Sequence, residues 1–389
     1  MYHACMIDRP AYLKNIERSL ERSPICALLG PRQCGKTTLA RMFAHKQKAT
    51  FLDLESQQDR ARLTNPELAL GEMKNLVIID EIQAMPELFN VLRVLADRVN
   101  NQAKFLILGS ASPSIIRGVF ESLAGRVEFV ELAGFDLKEA TVGSQKQLWV
   151  RGGFPRSFLA ESDEDSAAWR EAFLQTFLER DIPQLGINIP PAAMRRFWTM
   201  LANYHGQIWN ASEFGRSMGV TDKTVRGYLD ILTGTYLVRQ LQPWFENIRK
   251  RQVKSPKIYL RDPGILHALL SLPDQHSLMG HPAVGASWKG FVLEQAIRFI
   301  APPECYFWAT HQGAGLDLFF IINGRRFGME VKLAEAPKIT RSMRTAHQDL
   351  NLEHLWILYP GAQAYPVAKE ITVWPLAQVA ELPEQIKSV

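Results

Sequence analysis

A glycine-containing loop between an apolar strand and a helix constrains the fold of this chain more than any other part of its sequence. The loop, GPRQCGKT at 30–37, follows the apolar run PICALLG and precedes KTTLARMFAHK, a segment with helical periodicity. The spacing Gly-x-x-x-x-Gly-Lys-Thr, between a strand and a helix, is typical of loops that bind phosphate through backbone N–H groups. The N-terminus of the following helix adds a partial positive charge. The sequence therefore predicts that a nucleotide binds at 30–37, which we call the phosphate loop.

Two side chains of the phosphate loop have expected roles. Lys36 is expected to neutralise the β- and γ-phosphates, which makes it a candidate catalytic residue, and the hydroxyl of Thr37 is expected to bind Mg²⁺. ATP and Mg²⁺ are therefore the predicted cofactors, although nothing in the sequence distinguishes ATP from GTP. The residues predicted to bind the nucleotide are Gly30, Pro31, Arg32, Gln33, Cys34, Gly35, Lys36, Thr37, Thr38, Asp80 and Ser110.

An acidic strand supports the nucleotide site. The run LVIIDE at 76–81 ends in Asp80, which is expected to hold Mg²⁺ directly or through water, and in Glu81, which is expected to polarise the attacking water. A glutamate beside that aspartate favours nucleotide hydrolysis over mere storage. The alternative for Glu81 is a surface acid at the end of a strand.

Polar residues after the next strand are candidates for contacting the γ-phosphate. Ser110 and Ser112 follow the apolar run FLILG, although an ordinary serine-rich loop would look the same. Phosphoryl transfer often uses an arginine from the same chain or from a neighbouring one. Of Arg117 and Arg126 we favour Arg126, because it directly precedes a strand and so lies at an edge of the sheet. A role in a neighbouring chain would imply a homo-oligomer, and the alternative is a surface charge.

The overall pattern and composition narrow the class of protein. Residues 24–134 alternate apolar strands with amphipathic helices, which predicts a parallel sheet. No apolar run approaches the ~20 residues that span a bilayer, and the charged start does not resemble a signal peptide. The four cysteines lack zinc-ligand spacing, so a cytoplasmic protein without disulfides and without a membrane segment is expected. The net charge of +5 permits a nucleic-acid partner without requiring one.

The middle of the chain has the pattern of a helix-turn-helix. The segment NASEFGRSMGV is followed by TDKTVRGYLDIL, with Gly219 at the turn and Thr221 as the expected N-cap of the second helix. A basic stretch at 249–257 lies where a wing hairpin would follow. The predicted DNA contacts, mostly to phosphates, are Lys223, Arg226, Arg249, Lys250, Arg251, Lys254 and Lys257. The alternative is a winged helix that serves packing or protein contact.

Acidic residues in the C-terminal part are expected to meet on a hairpin. The run GLDLFFIINGRRFGMEVKL predicts two antiparallel strands joined by an Asn-Gly turn at 323–324. Glu330 and Lys332 share one face of the second strand, and strand pairing brings Asp317 beside them. Glu294 lies on an amphipathic helix upstream. The predicted metal ligands there are Glu294, Asp317 and Glu330, with Glu330 and Lys332 as candidate catalytic residues and Gln348 as a further member.

Three interpretations of this C-terminal pattern remain open. The first is a Mg²⁺-dependent site that cuts DNA. The second is an ordinary strand with exposed acidic and basic residues. The third is a nuclease fold that binds DNA without cutting it.

The motifs GPRQCGKTTL, VIIDEIQ, LGSASPSIIRGVFESLAGRV and RGGFP together resemble the prokaryotic AAA-type ATPases fused to a C-terminal domain of unknown function. The C-terminal pattern resembles that of the PD-(D/E)xK nucleases. The resemblance implies an α/β protein with a P-loop AAA-type parallel sheet at 1–145, a helical lid and winged helix at 146–262, and a restriction-endonuclease-like α/β domain at 263–389. Cys34 departs from the aliphatic residue common in that family, either as an oxidisable thiol or as a small space-filling side chain.

The predicted function is that of a Mg²⁺-dependent ATPase acting on DNA, with branched or structured DNA as a natural substrate. The C-terminal domain would bind or cleave DNA. The alternative is a regulatory switch controlled by ATP, in defence or toxin regulation, whose C-terminal domain binds a partner without cleavage.

Overall fold

The chain forms two compact units. The computed structural model describes residues 7–45, 47–99, 103–110, 121–140, 144–184, 187–245 and 253–388. Unit 1 comprises the described residues up to Gly134 together with Gly234–Tyr236, and unit 2 comprises those of Phe135–Thr233 and of Leu237 onwards. The predicted boundary near 145 thus lies close to the junction of the units, whereas the boundary at 262/263 lies inside unit 2.

Unit 1 alternates strands and helices. Its helices are α1 (Pro10–Arg22), α2 (Lys36–Ala44), α3 (Gln57–Arg62), α4 (Pro66–Gly71) and α5 (Leu88–Ala96), with a short 3-10 turn at Ile82–Ala84. Its strands are β1 (Ile25–Gly30), β2 (Ala49–Asp53), β3 (Asn75–Asp80), β4 (Ala103–Ser110) and β5 (Val127–Glu131).

The predicted parallel sheet of unit 1 is confirmed. Its order is β2-β3-β4-β1-β5, and every neighbouring pair is parallel. The central strand β1 is buried along its whole length, which explains its continuous apolar sequence. Because the strands are parallel, their carboxyl ends meet at one edge, and Gly30, Asp80 and Ser110 end β1, β3 and β4 there.

Unit 2 combines helices with a larger sheet. Its helices are α6 (Gln145–Arg151), α7 (Pro155–Phe158), α8 (Asp163–Thr176), α9 (Ile182–Gln184), α10 (Pro191–Asn203), α11 (Ala211–Met218), α12 (Asp222–Gly234), α13 (Pro263–Leu269), α14 (Gln275–Met279), α15 (Val284–Ile300), α16 (Arg341–Leu350) and α17 (Leu382–Ser388). A π-helical turn spans Phe177–Asp181, and a 3-10 helix spans Leu376–Glu381. Its strands are β6 (Val238–Pro243), β7 (Lys257–Leu260), β8 (Cys305–Ala309), β9 (Gly315–Ile322), β10 (Arg325–Val331), β11 (His354–Tyr359), β12 (Tyr365–Ala368) and β13 (Ile371–Pro375).

The sheet of unit 2 is mixed and continuous across the predicted domain boundary. Its order is β12-β13-β11-β10-β9-β8-β6-β7. Strands β6 and β7, predicted as the wing of the middle domain, therefore lie in the same sheet as the C-terminal strands. The link is a short parallel pairing in which Gln242 and Pro243 face Tyr306 and Phe307.

The predicted hairpin of β9 and β10 is confirmed. Ile322 pairs with Arg325, so the turn consists of Asn323 and Gly324 alone. Both residues have positive φ, 51° and 76°, as a two-residue hairpin turn with the strand twist requires. Asparagine and glycine tolerate that conformation, which explains why the Asn-Gly pair predicts the turn correctly.

The helix-turn-helix prediction also matches the local structure. Helices α11 and α12 are joined through Gly219, which has a φ of 71°. The backbone N–H of Thr224 donates to the Thr221 hydroxyl at 3.2 Å, so Thr221 caps α12 as predicted. Phe214 and Leu229 are buried on the inner faces of the two helices.

Candidate functional site

The phosphate loop curls around the ammonium group of Lys36. Gln33 and Gly35 have positive φ values of 62° and 99°, which turn the backbone between β1 and α2. Lys36 begins α2 and is buried, and its Nζ donates to the carbonyl oxygens of Gly30 and Pro31 at 3.1 and 2.9 Å. The lysine predicted to contact phosphate is therefore enclosed by the backbone of the phosphate loop.

Close packing at the back of the loop explains two of its residues. A Cβ at Gly30 would overlap the carbonyl oxygen of Leu132 and approach the sulfur of Cys34, so only glycine fits there. The Cys34 thiol is fully buried and lies 3.6 Å from the same carbonyl oxygen. This burial favours the space-filling role of Cys34 over the oxidisable one.

Arg9 supports the loop from behind and was not among the residues predicted from the sequence. Its guanidinium is buried and donates to the carbonyl oxygen of Cys34 at 3.4 Å. It also donates to the carbonyl oxygens of Ala133 and Gly134 at 3.1 and 3.2 Å, and it lies 4.6 Å from the centre of the Tyr12 ring. A single arginine before a helix gives no sequence signal of such a role.

The two predicted metal ligands of unit 1 lie together. The hydroxyl of Thr37 donates to Asp80 Oδ2 at 2.7 Å, and the N–H of Glu81 donates to Asp80 Oδ1 at 3.0 Å. Burial raises the pKa of Asp80, and the hydrogen bond from Thr37 opposes that rise. A hydroxyl and a carboxylate beside the phosphate loop are the oxygen donors that Mg²⁺ prefers, so these residues fit the ion.

Glu81 is held by a residue that was not predicted. It has a left-handed backbone conformation, with φ 54° and ψ 48°, which costs free energy in a residue other than glycine. The side-chain amide of Gln83 donates a hydrogen bond to Glu81 Oε2. The other amide atom, Oε1 of Gln83, is buried and has no hydrogen-bond partner among the described residues. The motif VIIDEIQ contains the signal, but only the structure shows that Gln83 turns back onto Glu81.

Ser110 and Arg126 lie at opposite ends of the parallel strands, Ser110 at the carboxyl end of β4 and Arg126 just before the amino end of β5. Ser110 is in register with Gly30, which places its backbone beside the phosphate loop, whereas Ser112 and Arg117 are outside the described residues. Arg126 precedes β5, whose first residue is in register with Ile25 at the start of β1. The Arg126 guanidinium donates to both carboxylate oxygens of Asp97, at 2.6 and 2.8 Å. A role for Arg126 at the phosphate loop of its own chain is therefore wrong, because the length of β1 separates them.

Asp317 and Glu330 meet in unit 2, as predicted, but lysines surround them. Lys289 Nζ lies 2.6 Å from Asp317 Oδ1, and Lys332 Nζ lies 2.9 Å from Glu330 Oε1. Lys257 Nζ lies 3.9 Å from Asp317 Oδ1. We call these five residues the carboxylate–lysine cluster.

The charges of the cluster shift one another's pKa values. Burial, and then the charge of Asp317, raise the pKa of Glu330, while Lys332 and Lys289 oppose the rise. Burial acts to lower the pKa of Lys289, but attraction to Asp317 outweighs burial and raises it. Burial and Asp317 thus act against the charge of Glu330, whereas Asp317 favours the charge of Lys289.

The prediction that Glu294 is a metal ligand with Asp317 and Glu330 is wrong. Glu294 forms ion pairs with Arg239 and, at 3.3 Å, with Arg261. Burial opposes its ionisation, yet the two arginines outweigh burial and hold its pKa at about 2. Lys289, on the same helix, contacts Asp317 instead, because five residues turn an α-helix by about 500° and point the two side chains in different directions.

The predicted DNA contacts separate into three groups. Lys223, Arg226 and Lys254 are exposed, the first two on one face of α12. Lys257 is only partly exposed, because its ammonium lies 3.9 Å from Asp317 Oδ1 and 4.9 Å from the centre of the Phe307 ring. Arg249, Lys250 and Arg251 are outside the described residues. Gln348, which was predicted as a further member of the C-terminal acidic site and not as a DNA contact, is exposed on α16.

Comparison with known proteins places this geometry in a family. Residues 22–141 match the model of the AAA domain, and residues 143–276 and 284–379 match two domains of unknown function, DUF8612 and DUF4143. An uncharacterized protein of Mycobacterium tuberculosis and one of Mycobacterium bovis are each 50% identical over 97% of this chain and 86% of their own length. The chain belongs to their family. With its AAA domain it is an ATP-hydrolysing P-loop protein, as the phosphate loop and acidic strand predicted.

Several solved structures resemble this chain more distantly than the two mycobacterial proteins do. A Walker-type ATPase of Pyrococcus abyssi is 15% identical and covers 68% of this chain and 96% of its own, with a TM-score of 0.49. A RuvB Holliday junction branch migration motor of Thermotoga maritima is 16% identical and covers 60% of this chain and 90% of its own, with a TM-score of 0.29. Within the described residues, no helix is both long and apolar enough to cross a membrane.

Proposed function

We propose that this protein is a Mg²⁺-dependent ATPase that acts on DNA, and that its C-terminal sheet binds DNA phosphates. The observation that carries the ATPase mechanism is the meeting of Thr37 with Asp80 beside the buried Lys36. Thr37 and Asp80 would hold Mg²⁺, which neutralises phosphate charge. Glu81 accepts a proton from the attacking water, and the backbone N–H groups of the phosphate loop orient the nucleotide.

The exposed helix α12 supports the action on DNA. Its inner face is buried through Val225 and Leu229, while Lys223 and Arg226 point to solvent one turn apart. A capped helix with two cations on its outer face suits contact with phosphates along a groove. Branched or structured DNA remains the substrate that we propose for testing first.

We also propose that the protein is a cytoplasmic homo-oligomer in which Arg126 acts on a neighbouring chain. Arg126 lies at an edge of the sheet and is partly exposed, so another copy can reach it. In a neighbouring site its guanidinium would stabilise the negative charge that develops on the transferred phosphoryl group.

One comparison tests the proposed function. ATP hydrolysis is measured alone and with single-stranded, duplex, forked and four-way DNA. Stimulation of several-fold by any of these, lost in Lys223→Ala with Arg226→Ala, supports the proposal. Indifference to every DNA would overturn it and would favour the alternative of a regulatory switch controlled by ATP.

A further inference from the structure

The carboxylate–lysine cluster occupies the place where a metal site was expected. All four carboxylate oxygens have a donor: Asp317 Oδ1 faces Lys289 at 2.6 Å, and Asp317 Oδ2 accepts from the N–H of Val331 at 3.1 Å. Glu330 Oε1 faces Lys332 at 2.9 Å, and Glu330 Oε2 accepts from the N–H of Asp317 at 3.3 Å. The acids are therefore satisfied by the protein itself.

These residues do not fit a divalent cation. Mg²⁺ needs several oxygen ligands, and here two carboxylates stand among three ammonium groups, which would repel the ion. The third acid predicted for the site, Glu294, is bound to two arginines. Among the described residues no group of three acidic, histidine or cysteine side chains is placed to hold a metal.

The same residues fit a phosphate. Three ammonium groups and two carboxylates leave the cluster with an excess of positive charge. The side chains of Lys289 and Lys332 are 30% and 33% exposed, so solvent-borne anions can reach them. An ammonium has three N–H donors, so one hydrogen bond to a carboxylate is compatible with another to a phosphate oxygen.

A buried hydroxyl adds a second polar group to the same face. Tyr259 follows Lys257 by two residues on β7, so both side chains leave the same face of the strand. Tyr259 is 1% exposed, and its buried hydroxyl has no hydrogen-bond partner among the described residues. Burial, and then the charges of Asp317 and Glu330, raise its pKa, so it stays a neutral donor at neutral pH.

We propose that the ammonium of Lys289 takes the place of a divalent cation, and that the cluster binds a phosphate of the DNA backbone without metal and without cutting it. The proposal rests on the proposed action on DNA. The carboxylates of Asp317 and Glu330 hold the lysines in position, and the lysines contact the phosphate. The proposal involves no covalent step.

The test is binding of a fluorescent duplex to the full chain, in EDTA and in Mg²⁺. The expected affinity is the same in both, and no cleavage is seen. Lys289→Ala weakens binding about tenfold and lowers the salt dependence by the equivalent of one phosphate contact. Lys289→Arg, which keeps the charge, retains binding, and Lys369→Ala is the matched control because Lys369 is an exposed lysine of the same unit.

A second pair of variants keeps the proposal testable if Lys289→Ala fails to fold. Asp317→Asn removes a negative charge but leaves an amide oxygen that can accept from Lys289. Phosphate affinity therefore holds or rises if lysines bind the DNA, and falls if a metal does. Lys289→Glu adds a third acid, and titration with Mn²⁺ alone then shows binding that the native chain lacks. Binding that disappears in EDTA, or Mg²⁺-dependent cleavage that Asp317→Asn abolishes, would overturn the proposal.

The two proposals can fail separately. If the chain binds no DNA and DNA does not stimulate its ATPase, the proposed function fails. If DNA binds and stimulates hydrolysis but Lys289→Ala binds as tightly as the native chain, the cluster proposal alone fails.

Discussion

The side-chain amide of Gln83 is hydrogen-bonded to the carboxylate of Glu81, two residues before it, while Glu81 itself has a left-handed backbone. A strained backbone at the residue expected to polarise water suggests that position matters more there than local stability. The amide donor fixes the direction of the carboxylate that is expected to accept a proton from water. Gln83 is therefore a positioning residue for Glu81.

Loss of this positioning is expected to slow hydrolysis without weakening nucleotide binding. Gln83→Ala should lower kcat about tenfold, a fraction of what a general base contributes, and leave KM for ATP nearly unchanged. Gln83→Glu replaces the amide donor with a second carboxylate, which repels Glu81 and should also lower kcat. Steady-state kinetics measure kcat and KM of both variants. Gln58→Ala, a change at an exposed glutamine of unit 1, is the control, and an unchanged kcat in Gln83→Ala and Gln83→Glu would contradict the role.

Binding and hydrolysis of ATP should separate at Lys36 and Glu81. Lys36→Ala removes the cation inside the phosphate loop and is expected to abolish hydrolysis and to weaken nucleotide binding. Glu81→Gln keeps the size of the side chain but not its basicity, so it should retain binding and lose at least a hundredfold in kcat. Fluorescent-nucleotide binding and phosphate release measure the two steps. Normal turnover in Lys36→Ala would refute the site.

Arg126 should matter only when chains associate. Arg126→Ala is expected to lower kcat by a hundredfold or more, as loss of a transition-state arginine does. Native activity per chain should rise with protein concentration over the range in which light scattering detects association. The matched control is Arg22→Ala, since Arg22 forms a comparable exposed ion pair with Glu128. If both variants behave alike, Arg126 is a surface charge without a role in catalysis.

The buried ion pairs of Glu294 should make unit 2 sensitive to acid. The folded pKa of about 2 lies below the usual value of 4.5. The carboxylate therefore stabilises the fold fully above pH 4.5, and this contribution is lost as the pH falls towards 2. Glu294→Gln leaves two arginines without their partner and should cost on the order of 3 kcal/mol at pH 7.

Chemical denaturation at pH 7 and at low pH measures that contribution. The difference between the native chain and Glu294→Gln should shrink as the pH falls below 4.5. Glu335→Gln, a change at an exposed glutamate, should have little effect at either pH. An equal penalty for Glu294→Gln at every pH would show that packing, and not charge, is what the variant loses.

Local signals predicted unit 1 and the hairpin well because each depends on a short stretch of chain. The phosphate loop, the end of β3 and the Asn323–Gly324 turn are set by backbone conformations that few residues tolerate. Pairing of buried charges depends on contacts distant in sequence, so the sequence could not show that Lys289, and not Glu294, faces Asp317. A lysine on a helix ordinarily indicates a solvated face, so the sequence gives no signal that Lys289 contacts a buried carboxylate.

The parallel pairing of β6 with β8 has a practical consequence for anyone dissecting this chain. A fragment beginning at Pro263 would lose β6 and β7, so Gln242 and Pro243 would no longer cover Tyr306 and Phe307. The backbone N–H and C=O groups of β8 that pair with β6 would then be exposed. They can pair with strands of other molecules, so such a fragment would tend to aggregate. The fragment would also lose Lys257. A cut at the junction after Gly134 spares the whole eight-stranded sheet.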